Sequence, residues 1–312
     1  MESLQSSLKL AQYVEDMGFK RYWFAEHHNM AGIGSTAPEV LIAHVASQTK
    51  NIRVGSGGIM LPNHAALHVA EVFKTLEALY PGRIDLGLGR APGSGQKATL
   101  ALRGPHHSHG QDFPQQYEDL VTWLKNESPA SHPKVEAGPS ITSLPEIWML
   151  GSSDFGAQMA GHHGLPYAFA QHFSHIPALE IFKLYQESFR PSDSLKRPHG
   201  MMASHIICAE TDEEAEELAL SSDLSFSVFV QTGRSIPLPT VTEARAYNYS
   251  QEDWKQIRLG GMPKFVGSPK TIEMKLKPFL ESGLIDELIV LTMVYDQDAR
   301  KKSYELVQQI LK

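Results

Sequence analysis

The stretch best equipped for chemistry is Arg21-Tyr22-Trp23-Phe24-Ala25-Glu26-His27-His28. Tyr22 to Ala25 is a short aromatic and apolar run, which suits a buried strand. Glu26 and His27 follow at its carboxyl end. In a barrel of parallel strands, residues at that end face the active site. An acid and an imidazole therefore stand where proton transfer is commonly done. An equally good reading of this stretch alone makes them ordinary strand-end polar residues, hydrogen-bonded in a loop.

Three further stretches carry candidate chemistry. Gly87, Gly89 and Gly93 lie in Ile84-Asp85-Leu86-Gly87-Leu88-Gly89-Arg90-Ala91-Pro92-Gly93 and invite a dinucleotide reading. Their spacing is G-x-G-x-x-x-G instead of G-x-G-x-x-G, and Pro92 interrupts the turn where a helix should open, so the reading fails. Arg90, at the end of a predicted strand, could grip an anion bidentately or pair with a neighbouring carboxylate. Gly151-Ser152-Ser153 lies between a predicted strand and a predicted helix. Its small residues and outward N–H groups suit a phosphate, although many strand-to-helix turns look similar. Fifteen histidines raise the question of metal. His27-His28, His106-His107-Ser108-His109 and His162-His163 are adjacent pairs or clusters without the i, i+4 spacing of a helical zinc site, so no metal is expected.

Strands and helices alternate along the chain that must position these groups. Seven strands are expected: around Arg21–Ala25, Ile52–Leu61, Ile84–Leu88, Ile147–Leu150, Tyr167–Ala170, Met202–Cys208 and Glu287–Leu291. Helices are expected over 4–17, 39–49, 65–79, 113–124, 154–162, 175–189, 212–230, 271–282 and 298–311. Ala91 to Gln111 reads as a polar loop. Gln231 to Pro263 reads as an insertion with at most one short helix, near Glu252. The alternation predicts a parallel sheet covered by helices. Polar and glycine-rich residues after the strands favour a barrel with its site at the carboxyl ends.

The bulk properties agree with an ordinary globular protein. The 312 residues are 42% hydrophobic and 20% charged, with a net charge of −7. No long basic tract is present, which argues against nucleic acid as a partner. No apolar stretch reaches the ~18 residues that a membrane span needs. The amino terminus is polar and shows no signal peptide, so the cytoplasm is the default compartment. Cys208, the one cysteine, lies in an apolar run and is expected as a buried thiol.

Taken together, these residues resemble the bacterial luciferase-like flavin monooxygenases over nearly the whole chain. The most specific blocks are Trp23 to His28, Arg53-Val54-Gly55-Ser56-Gly57-Gly58-Ile59-Met60-Leu61-Pro62, and Leu79-Tyr80-Pro81-Gly82-Arg83-Ile84-Asp85-Leu86-Gly87-Leu88-Gly89-Arg90. Gly267-Ser268-Pro269 matches as well. The similarity is greatest to the single-chain, alkanal-monooxygenase-like branch. It implies an α/β fold, a TIM (β/α)8 barrel, in one domain over 1–312. Residues 231–263 would be an insertion or lid after the seventh barrel strand. The family's first strand precedes its first helix, so this chain is expected to lack that strand.

The resemblance also implies FMN as cofactor, reduced by a separate reductase. Reduced FMN and O2 would serve to oxygenate a small organic substrate, with an aldehyde as one candidate. Gly57 and Gly58 match the pair, often joined by a cis peptide, that lies under the flavin ring. Arg90 matches an arginine of the flavin site. Leu150, Gly151, Ser152 and Ser153 match the segment that holds the phosphate, and Ala170 matches a small residue near it. His27 matches the catalytic histidine, with Glu26 orienting it. A homodimer is expected. The family's luciferases carry an acidic residue where Ser152 stands and a cysteine where Gly89 stands, which argues against light emission. Two alternatives are a non-catalytic flavin-binding protein and a deazaflavin-dependent reductase on the same barrel.

Overall fold

A computed structural model describes residues 2–104, 110–259 and 263–312. The cluster His106-His107-Ser108-His109 lies outside the described residues. The chain forms two compact units, one of residues 1–29 and 34–150, the other of residues 30–33 and 151–312.

The first unit opens with helix α1 (Glu2–Asp16), followed by strand β1 (Arg21–Phe24), α2 (Pro38–Ala46) and β2 (Arg53–Met60). A single 3-10 turn (Leu61–Asn63) leads into α3 (Ala66–Leu79) and β3 (Ile84–Gly89). Then come α4 (Gln96–Arg103), α5 (Phe113–Leu124) and β4 (Glu146–Gly151). The strands pair in parallel in the order β1-β2-β3-β4, as strands joined by helical crossovers must. All six residues of β3 are buried, which a central parallel strand requires. Phe113, Tyr117, Leu120 and Leu124 of α5 recur at helical spacing and are buried, packing α5 against α3. Lys74 of α3 is fully buried yet satisfied, since its Nζ donates to the carbonyls of Trp123 at 3.1 Å and Ala137 at 2.5 Å.

An ion network ties the amino-terminal ends of these strands together. The register sets Gly55 of β2 beside Asp85 and Asp85 beside Glu146. Asp85, completely buried, accepts from Arg21 Nη1 at 2.8 Å, Arg53 Nε at 2.8 Å and Trp23 Nε1 at 2.8 Å. Glu146 accepts two further bonds from Arg21, at 3.0 and 3.2 Å. Burial raises the Asp85 pKa, against the pull of the two guanidiniums.

The second unit contains α6 (Asp154–His163), β5 (Tyr167–Ala170), a 3-10 turn (Gln171–Phe173), α7 (Ala178–Ser188) and β6 (Gly200–Cys208). It continues with α8 (Asp212–Thr232), α9 (Val241–Ala246), α10 (Gln251–Leu259), β7 (Lys264–Gly267), α11 (Pro269–Leu280), β8 (Glu287–Leu291) and α12 (Gln297–Leu311). Strand β6 is the common partner: Gly200–Ala203 pair with β5, Met201–His205 with β8 and His205–Cys208 with β7, all parallel. Tyr167, Phe182 and Tyr185 form its aromatic core, with ring centroids 5.5 and 6.1 Å apart. Helix α8 starts on Thr211, whose hydroxyl accepts from Glu214 N at 3.2 Å, and three acidic residues fill its first turn. Cys208 is a buried thiol, and burial pushes its pKa up to about 11.

All seven expected strands are present, and three features differ from the sequence reading. Residues 91–111 contain helix α4. The 231–263 segment carries two helices, α9 and α10, instead of one at most. An eighth strand, β7, follows it. Among the described residues, no helix is long and apolar enough to cross a membrane.

Candidate active site

In the first unit, the register Phe24↔Ser56 places Ala25, Glu26 and His27 just beyond β1, beside the Gly57–Gly58 segment of β2. The Gly57–Gly58 peptide is cis, as the resemblance leads one to expect. A Cβ on Gly58 would stand 2.8 Å from the carbonyl oxygen of Gly87 and 3.1 Å from Leu150 Cδ2, so only glycine fits between the neighbouring strands. Leu150, near the end of β4, thus packs against the glycine pair. Arg90 is exposed directly after β3.

His27 is half-buried, and its Nδ1–H donates to the carbonyl of Gly93 at 2.9 Å. That bond fixes the tautomer and makes Nε2 the basic nitrogen. Its backbone N–H donates to Ser35 O at 3.1 Å. Gly93 has φ +63°, and a Cβ there would meet Glu26 O at 2.7 Å. The glycine of the failed dinucleotide motif therefore has another purpose, to bring a carbonyl to His27.

Glu26 does not orient His27, contrary to the sequence reading. Its side chain, 1% exposed, turns toward the β2–α3 connection. There it accepts from Met60 N at 2.8 Å, Asn63 Nδ2 at 2.9 Å and His64 Nε2 at 3.0 Å, and from His28 Nε2 at 2.9 Å. The physical reason is supply: the turn after β2 offers three donors within five residues, whereas the His27 Nδ1 proton already has the Gly93 carbonyl. Burial pushes the Glu26 carboxyl up, but the bonds from His64, Asn63 and Met60 outweigh it and bring the pKa to about 2. Asn63 and His64 were missed by sequence reasoning. The Leu61-Pro62-Asn63 turn signal was present, but nothing local tied it to a carboxylate 37 residues earlier.

In the second unit, Gly151, Ser152 and Ser153 form the turn before α6, with Ser153 as its N-cap residue. Two side chains tie the carbonyls of this turn down. Ser174 Oγ donates to Ser152 O at 2.8 Å, and Tyr167 OH donates to Ser153 O at 3.3 Å. The Ser153 side chain makes no capping bond to the helix. A Cβ on Gly151 would press on Tyr167 OH at 3.1 Å. An anion at this N-terminus would meet backbone N–H groups and the positive end of the helix dipole. One of these N–H groups, that of Phe155, already donates to Asp154 Oδ1 at 2.8 Å. Ala170 ends β5 opposite Ala203 and is half-buried. Among the described residues, no group of three or more His, Cys, Asp or Glu could hold a metal ion.

Comparison with known proteins places the chain in a family. Residues 1–284 match the model of the luciferase-like monooxygenases. A protein described as a luciferase-like monooxygenase from Escherichia coli (strain K12) is 38% identical over 99% of this chain and 91% of its own length. The N-acetyl-S-alkylcysteine monooxygenase of Bacillus subtilis (strain 168) is 31% identical over 98% of this chain and 92% of its own. The crystal structure of apo-MsnO8 superposes with a TM-score of 0.90 at 34% identity, covering 99% of this chain and 93% of that one. This chain belongs to the luciferase-like monooxygenase family.

Proposed function

We propose that the protein uses FMN, reduced by a separate reductase, and O2 to oxygenate a small organic molecule. The observation that carries this reading is His27, held at the strand end beside Gly57–Gly58 with Nδ1 tied to Gly93 and Nε2 as its basic nitrogen. In the first unit, Gly57, Gly58 and Leu150 would offer the flavin ring a surface without side-chain obstruction, with Arg90 as a cationic partner. In the second unit, the Gly151-Ser152-Ser153 turn would take the phosphate, with Ala170 leaving room. The electrons that activate O2 would come from bound reduced FMN. His27 would give or accept a proton through Nε2. Side chains around the site would exclude water and so limit wasted oxidation.

The relative that acts on N-acetyl-S-alkylcysteines supports adding thioethers to aldehydes and ketones as substrate candidates. The test is incubation with FMN, a flavin reductase, NADH and O2 and a panel of these compounds, followed by mass spectrometry. A product heavier by one oxygen atom is expected for one class. Bound chromophore absorbing at the shorter wavelengths of a deazaflavin, with no oxygenated product, would overturn the reading.

Ser152→Asp places a second anion at the proposed phosphate site. It is expected to weaken FMN binding by about tenfold or more. Fluorescence titration of the apoprotein measures this, and unchanged or tighter affinity would move the phosphate elsewhere.

A further inference from the structure

We infer that His64 is a positioning residue for this site: it holds the Glu26 carboxylate, which holds the Met60 N–H, and so fixes the end of β2 that carries Gly57 and Gly58. The significance given to Gly57–Gly58 rests on the functional reading above; the clamp itself rests on geometry.

The carboxylate is enclosed by the turn that follows β2. His64 Nε2 lies 3.0 Å from both oxygens of Glu26. Met60 N–H, the last backbone donor of β2, points at Oε2 at 2.8 Å. Asn63 Nδ2 donates to Oε1 at 2.9 Å and to Pro92 O at 3.1 Å, and its own Oδ1 accepts from Arg103 Nε at 2.7 Å. One carboxylate thereby joins the ends of β1 and β2, and through Asn63 the segment after β3. A buried carboxylate of this kind is tolerated only while its donors stay in place. Two of those donors are imidazoles, His64 and His28, and of the two His64 is the one that faces both oxygens.

The groups facing His64 are Glu26, Glu39 of α2 and Arg103 of α4, with His28 sharing Glu26 Oε1. Burial lowers the His64 pKa, but the bond and charge of Glu26, helped by Glu39, leave it raised above 6.5. The pair therefore stabilises the fold fully below that ordinary value, and the contribution is lost as pH rises through the raised one. At the acid end, the Glu26 contribution is present above its ordinary value of 4.5 and is lost as pH falls toward about 2.

The test compares wild type with His64→Ala and His64→Gln by amide hydrogen exchange of the 57–64 segment in the apoprotein, and by FMN titration. Losing a hydrogen bond to a charged group corresponds to about a 10- to 100-fold effect. We expect His64→Ala to exchange Met60 N–H faster by that order and to bind FMN more weakly. His64→Gln, which keeps a donor, should restore part of both. The stability difference between wild type and His64→Gln should shrink as pH rises through the His64 pKa. Unchanged Met60 protection in His64→Ala would overturn the proposal. So would wild-type FMN affinity in a His64→Ala protein that is merely easier to unfold. If wild type itself fails to bind FMN, the functional reading falls, while the exchange and pH results still decide the clamp.

Discussion

Asp85→Ala is expected to destabilise the folded protein by about 3–5 kcal/mol, the range for breaking a buried ion pair by removing one partner. Asp85 is completely buried and serves three donors, on Arg21, Arg53 and Trp23. Without it, the buried Arg21 guanidinium keeps only the bonds to half-exposed Glu146 among those named, and the Trp23 indole loses its acceptor. Arg53 is less affected, because it also bonds the carbonyls of Gly82 and Ile84. Asp85→Asn keeps one acceptor oxygen for these donors and should cost less than the alanine variant. Urea denaturation of both variants measures the difference. A loss below about 1 kcal/mol, the worth of a surface pair, would show that the network carries no weight in the fold.

His27→Ala is expected to slow oxygenation by about 10²- to 10⁴-fold, the contribution of a positioned general acid or base. FMN affinity should stay within about twofold, because the bonds of His27 named above go to the backbone carbonyls of Gly93 and Ser35. The Gly93 carbonyl lost as a partner lies on a turn, where water can replace the imidazole donor. Steady-state rates with saturating reductase and a fluorescence titration give both quantities. Equal turnover in variant and wild type would remove His27 from the reaction. A parallel fall in affinity and rate would make it a binding residue instead.

The alternation of strand and helix was legible because parallel strands in such a fold are short apolar runs, as in Ile84–Gly89, followed by helices with an apolar stripe, as in α5. Helix α9 had a signal in the sequence, since Thr240 and Glu243 form a reciprocal capping box, but its six residues are too few to show a helical period. Strand β7 had none: Lys264-Phe265-Val266-Gly267 is four residues long and only Gly267 is buried, so no alternation marks it. The candidate site divided in the same way. His27 was visible because it follows a short apolar strand, and the Gly57–Gly58 pair, inside β2, only through the resemblance of its block to the family. The true partners of Glu26 were hidden, because Asn63 and His64 reach it through the fold and not through spacing. The Arg21–Asp85–Arg53–Glu146 network was likewise out of reach, because it depends on the registers of three strand pairs.

Strand β6 lies in the chain between its partners, which sets the order in which the second unit can be assembled during synthesis. Its residues Met201–Ala203 pair with β5 on one side and β8 on the other. Strand β5 leaves the ribosome before β6 exists and waits for it. Once Cys208 has emerged, the β5–β6 pair can form, but the other rim of β6 stays uncovered until Glu287–Leu291 is made. An apolar strand rim exposed for that interval is open to pairing with other chains. A ribosome stalled between residues 209 and 291 is therefore expected to carry a chain with that rim open to pairing.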